Sequence, residues 1–291
     1  MKKLSLLLLV ALFAFPLFAA EAADPVLDQA RGLISSGQAA KAVDVMEKAV
    51  AAKPNDARRQ FLLGVAYGAS GREAGMFKAM SIIGKARDAF EKAVQLDPNY
   101  LEPRFALLEF YGMAPGVMGG DDDKAKEQAV EIRKRDASLG HKAFALIAES
   151  KKDMKAARAE YDAAVKEAPN ATKPRYWLGV YLMTTEKNYA ASAEQFNAAL
   201  NIDPNYGPAQ FQIGHLAAMT GGNLARGEEL LKKYIGTNVE SENLPIYRAH
   251  YWLGLVYEKQ GKKPEARAQL QQSLRLRPDN KDTQEALKRV S

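Results

Sequence analysis

The stretch Tyr251–Pro278, YWLGLVYEKQGKKPEARAQLQQSLRLRP, decides the fold. Its first half places Leu253, Gly254 and Tyr257 on one helical face, and its second half places Ala266, Leu270, Ser273 and Leu274 on another. Gly261 separates the halves and Pro278 stops the second, so the pattern predicts helix, turn, helix. Small residues at Gly254, Ala266 and Ser273 let two helices approach closely, while the large apolar residues between them need a further neighbour. One such hairpin has too little core to stand alone.

The same unit recurs along the chain with a period of about 34 residues. Its marker is a helix end at Pro followed by Asn or Asp: Pro54-Asn55, Pro98-Asn99, Pro169-Asn170, Pro204-Asn205 and Pro278-Asp279. Proline prevents continuation of the helix, and Asn or Asp suits the turn into the next one. Upstream, the second helices align on Ala42, Met46 and Ala49; Ala86, Phe90 and Ala93; Ala157, Tyr161 and Ala164; Phe196 and Ala199; and Ala266, Leu270 and Ser273. The first helices align on Leu63-Gly64, Leu178-Gly179, Ile213-Gly214 and Leu253-Gly254.

This pattern resembles the tetratricopeptide repeat family over essentially the whole chain after its leader. The resemblance implies an all-α, right-handed superhelical solenoid of about seven antiparallel helix pairs with a C-terminal cap helix. The expected units are 23–56, 57–100, 101–137, 138–171, 172–206, 207–241 and 242–280, with a polar cap at 281–290. Two units depart from the pattern. The second carries an insert between Gly71 and Ala86 with Met76, Phe77, Met80 and Ile83 at helical spacing, which predicts a helix extension. The third inserts Met113 to Gly120, including Met118, ahead of Asp121-Asp122-Asp123, and has Ala137 where the closing proline would stand.

Residues 1–22 read as a cleaved signal peptide, with Ala23 as the new N-terminus. Lys2 and Lys3 start it, Leu4–Phe18 is its apolar core, and Ala20-Glu21-Ala22 is a small-x-small cleavage pattern. That core falls short of the roughly 20 residues a spanning helix needs. The expectation is an exported, periplasmic protein of bacterial type with no stable membrane insertion after cleavage. The chain has no cysteine, which excludes disulfides, thiolate catalysis and cysteine-held metals. Its net charge of +6 is dispersed among acids on nearly every helix, which reads as solvated faces and not as a nucleic-acid stripe.

No catalytic constellation emerges. His141, His215 and His250 lie in different units without a second ligand at helical spacing. The glycines from Gly116 to Gly120 lack the Lys-Ser/Thr of a phosphate loop, and Asp121–Asp123 reads as a helix N-cap instead of a calcium loop. No enzyme activity, cofactor or metal is therefore expected. Met76, Met80, Met113 and Met118, with Phe77, would form a second contact edge; thioethers also suit Cu(I), but an irregular satellite core is the simpler reading.

In the family, the fifth and ninth places of each first helix line a concave groove. Carried over residue by residue, the fifth places are Phe61, Phe105, Lys142, Tyr176, Phe211 and Tyr251, all aromatic but one. The ninth places are Val65, Glu109, Leu146, Val180, His215 and Leu255. The resemblance implies a protein or peptide partner in this groove, held by aromatic area and by Glu109, Lys142 and His215. The same rings could instead pack inside the repeats. Only Lys142 fits a carboxylate clamp, so the best-known ligands of the family do not transfer. The expected function is a non-enzymatic scaffold or adaptor; the alternatives are a ligand-binding accessory subunit of a transporter or cell-wall enzyme, and a metal-handling protein.

Overall fold

The computed structural model describes residues 24–74, 76–237 and 244–291, without the side chains of Glu73, Met76, Phe77, Lys78 and Met80. The expected signal peptide lies outside the described residues, as do the side chains of Met76, Phe77 and Met80. Fifteen α-helices occupy the described residues, an all-α fold. The chain divides into two compact units, one ending at Glu160 and the other running Tyr161–Ser291.

The first unit contains α1 (Pro25–Ser35), α2 (Ala39–Ala52), α3 (Ala57–Glu73), α4 (Met76–Leu96), α5 (Leu101–Met113), α6 (Asp122–Arg135), α7 (Ala137–Ser150) and the start of α8 (Met154–Glu167). Helices adjacent in sequence pack together, α1 on α2, α3 on α4 and α5 on α6, and the first helices α5 and α7 also touch. Side-chain caps set the helix starts: Asp56 accepts from the backbone N–H of Arg58 and Arg59, and Asp121 from that of Asp123 and Lys124. The acidic cluster at 121–123 is thus a cap with a favourable first turn.

The insert between Gly71 and Ala86 lengthens α3 and α4 together, and Gly71 rests against Ile82 and Ile83. The second insert folds back on itself: Gly120 N–H donates to Pro115 O at 3.1 Å and Asp121 N–H to Tyr111 O at 2.9 Å. A Cβ at Gly120 would stand 1.7 Å from Ala114 O, so glycine is required for that close approach. Met113 and Met118 are half-buried on this insert. Helix α5 is buried almost all round, from Glu102 through Leu108 and again at Phe110 and Tyr111, which makes it the enclosed centre of the unit.

The second unit continues with α9 (Thr172–Thr184), α10 (Tyr189–Ile202), α11 (Gly207–Thr220), α12 (Leu224–Gly236), α13 (Ile246–Lys259), α14 (Lys263–Leu276) and α15 (Lys281–Arg289). Here α11 is the enclosed helix, packed by α10, α12 and α13. The stretch that set the repeat is the α13/α14 pair. Leu253 and Leu270 are buried at 2% and 0% exposure, and a Cβ at Gly254 would meet Leu270 Cγ at 2.7 Å. Contacts that close explain the glycine at this place. Helix α15 covers the end of the array with Thr283, Ala286 and Val290, leaving its charged residues wet.

Candidate partner-binding face

Three of the five fifth-place rings are core, and Tyr176 and Tyr251 are half-buried. Phe61, Phe105 and Phe211 keep only 7%, 0% and 3% of their surface exposed. Phe61 packs on Phe90 of the second helix at 5.8 Å between centroids and meets Tyr100 edge-on at 5.3 Å. In the second unit Tyr176 repeats this geometry with Phe196 at 5.9 Å and Tyr206 at 5.9 Å, also edge-on. Tyr100 and Tyr206 each follow a Pro-Asn turn, so the turn itself lays a tyrosine over the fifth-place ring. Of the two readings open for these rings, packing inside the repeats holds at Phe61, Phe105 and Phe211. The sequence carries the signal of the covering tyrosines as Pro-Asn-Tyr at 98–100 and 204–206, in the turns and not in the helices.

The ninth-place residues are half-buried throughout. In the first unit Val65, Glu109 and Leu146 are half-buried, with Lys142 beside Glu109. In the second, Val180, His215 and Leu255 are half-buried, with Tyr176 and Tyr251 at their edges. Each unit therefore presents apolar, ionisable, apolar side chains on its successive first helices. Both central groups are held neutral near pH 7: burial pushes the Glu109 carboxyl up to about 8 against the pull of Lys142, and burial together with Arg248 pushes His215 down to about 4.

His215 stacks face to face on Trp252, 4.0 Å between centroids with the planes 23° apart, and Tyr251 leans on the same indole at 4.7 Å. Its Nδ1 lies 3.2 Å from Gln212 Oε1, an arrangement that suits a proton on Nδ1. Helical periodicity alone does not bring Trp252 to this face, because it is adjacent in sequence to the fifth-place Tyr251. In the first unit, the Lys142 ammonium lies 5.6 Å from the centroid of Phe105, so Phe105, Glu109 and Lys142 come together where α5 meets α7. Phe61 is not part of that group; its ring partners are Phe90 and Tyr100.

The other two histidines each have a side-chain partner. His141 Nδ1 lies 2.7 Å from Glu160 Oε2, and His250 Nδ1 lies 2.7 Å from Gln269 Oε1. Among the described residues no cluster of three or more His, Cys, Asp and Glu could hold a metal ion, and no helix is long and apolar enough to cross a membrane. A cavity of ≈ 560 Å³ in the first unit lies at the turns, lined by Lys53, Asp56, Arg58, Asp97 and Tyr100 among others, away from the half-buried stripe.

Comparison with known proteins bears on the repeat fold. Family models for the tetratricopeptide repeat match residues 143–207 and 247–280, so the chain carries such repeats there. Repeats of this kind are protein-interaction modules, generally without catalysis. Among solved structures, the APC/C hetero-tetramer Cut9-Hcn1 shares 16% identity at a TM-score of 0.55, covering 92% of this chain and 49% of that one. Yeast Tom70 shares 14% identity at a TM-score of 0.55, covering 96% of this chain and 66% of that one. Both show the same helix-pair repeat fold, and this chain spans about half of the first and 66% of the second. YrrB, described as a TPR protein with an unusual peptide-binding site, aligns at 16% identity over 84% of this chain and 97% of that one, with a TM-score of 0.42. No curated protein matches the chain by sequence.

Proposed function

We propose that this protein is an exported, non-enzymatic scaffold of the bacterial periplasm that binds a segment of a partner protein along its first-helix faces. The observation that carries the reading is the repeated half-buried stripe, Val65, Glu109 and Leu146 in one unit and Val180, His215 and Leu255 in the other. Apolar side chains left half-covered on rigid helices gain by burial against a partner, about 25 cal/mol for each Å² of apolar surface. Uncharged polar groups between them fix register without the desolvation cost of a charge. Export rests on the leader pattern of residues 1–22.

The test is a crosslinking pull-down from the envelope with wild type and with a Leu146→Glu, Leu255→Glu double variant. A charge on each stripe should abolish recovery of one reproducible partner while helicity and melting stay unchanged. Equal recovery by the variant would refute the assignment of the face. Mass spectrometry of the exported protein, with Ala23 expected at its N-terminus, tests the leader; a retained Met1 would contradict it.

A further inference from the structure

Helix α11 carries two soft donor atoms that the fold leaves unused. His215 and Met219 stand four residues apart and so share one helical face. His215 Nδ1 faces Gln212 Oε1 at 3.2 Å, which suits a proton on Nδ1 and leaves Nε2 with a free lone pair. That nitrogen makes no hydrogen bond among the described residues, and it is not shielded from solvent. The stack on Trp252 at 4.0 Å fixes the plane of the ring. Met219 is 43% exposed, although Phe211, Ile213 and Leu216 of the same helix are buried. Helical side chains lean back over the preceding turn, so Met219 leans over the turn that carries His215.

We propose that His215 Nε2 and Met219 Sδ form a binding site for a soft monovalent metal ion, Cu(I). The histidine has no acid or second histidine at helical spacing; its neighbour on the face is a thioether, and thioether with imidazole suits Cu(I). Harder divalent ions prefer carboxylates, and among the described residues no cluster of His, Cys, Asp and Glu offers them. A ligating imidazole is ordinarily oriented through its other nitrogen, and Gln212 supplies that contact. Arg248 on α13 is the cation that acts on the ring, and it opposes a divalent ion about twice as strongly as a monovalent one. Burial and Arg248 also keep the imidazole unprotonated down to about pH 4, so at neutral pH the ion displaces no proton. The site lies apart from the methionines at 76, 80, 113 and 118, and it goes beyond the scaffold reading without resting on it.

The experiment titrates the full chain with Cu(I) under anaerobic conditions, in competition with the chromophoric chelator bicinchoninate, and follows tryptophan fluorescence in parallel. The expected result is a single bound equivalent that quenches Trp252, the indole stacked on the ligating ring. Met219→Leu and His215→Gln are each expected to weaken that equivalent at least ~10-fold, whereas Met113→Leu changes it by less than ~3-fold. His215 packs on Trp252, so if His215→Gln melts at a lower temperature the decision falls to Met219→Leu, which alters an exposed side chain. No bound equivalent, an equivalent that survives Met219→Leu, or Zn(II) held as tightly as Cu(I) overturns the assignment. The partner pull-down contains no added metal, so its failure and the failure of the copper site are separate results.

Discussion

Gln210 on α11 donates its Nε2–H to the carbonyl oxygen of Pro204, 2.8 Å away, across the turn that leads into the helix. The same reach closes every Pro-Asn or Pro-Asp turn of the repeat. Gln60 bonds Pro54 O at 3.0 Å, Arg104 bonds Pro98 O at 3.0 Å, Arg175 bonds Pro169 O at 3.1 Å and Gln284 bonds Pro278 O at 2.8 Å. The proline ends one helix and leaves its own carbonyl without a helical partner; a long donor six residues later supplies one. Gln210 is fully buried, so Gln210→Leu should lower stability by ~1–2 kcal/mol, measured as a drop in the urea midpoint at constant slope. An unchanged midpoint would show the bond to be incidental.

Glycine at the eighth place of the first helix is a packing requirement. A Cβ at Gly179 would lie 2.5 Å from Phe196 Cε1, whereas one at Gly84 in α4 would meet nothing within 4 Å. Gly179→Ala should therefore cost ~1–3 kcal/mol, and Gly84→Ala should be neutral or stabilise by up to ~1 kcal/mol. Thermal melts of the two single variants check the contrast; equal effects would contradict it.

Turns within the pairs pass through the left-handed backbone region. Glycine takes it at Gly37, Gly221 and Gly261 with φ of 72°, 76° and 75°, but lysine takes it at Lys152 and Lys187 with φ of 59° and 56°. A side chain there costs ~1–2 kcal/mol, partly offset by the greater freedom that glycine has in the unfolded chain. Lys187→Gly is expected to stabilise by ~0.5 kcal/mol in chemical denaturation, and a destabilised variant would show that the side chain makes a contact of greater worth.

The repeat, the helix pairs and the caps were legible in the sequence because each rests on local chemistry: a proline, a glycine, an aspartate, a period. The exposure of the fifth-place rings was not legible. It depends on Tyr100 and Tyr206 folding back over Phe61 and Tyr176, and periodicity along a helix says nothing about what the next turn lays across it. The His215–Trp252 stack was hidden for a related reason, since it joins α11 to α13 through two residues that helical spacing alone assigns to different faces. The two inserts announced themselves by length, and Gly71 and Gly120 show why they are glycine-bearing.

Protonation of Glu109 links stability to pH. Its carboxyl is raised from 4.5 to about 8 by burial, with Lys142 opposing, so the folded chain keeps a proton that the unfolded chain has lost. Its contribution is full below about pH 4.5 and is lost as pH rises through about 8, at most ~1.4 kcal/mol per pH unit. Glu109→Gln should flatten that slope, leaving the variant more stable than wild type at pH 8 by more than at pH 5. Parallel pH profiles of wild type and variant would contradict a buried, neutral acid.

The central claim is that the half-buried ninth-place stripe receives a partner segment. A photo-crosslinking residue placed at Leu146, half-buried on α7, and separately at Glu194, exposed on α10, tests this most directly when adducts formed in the envelope are mapped by mass spectrometry. Adducts from Leu146 to one contiguous segment of one protein, with none from Glu194, are the predicted result. Adducts from Glu194 alone, or from Leu146 to scattered unrelated segments, would contradict the account.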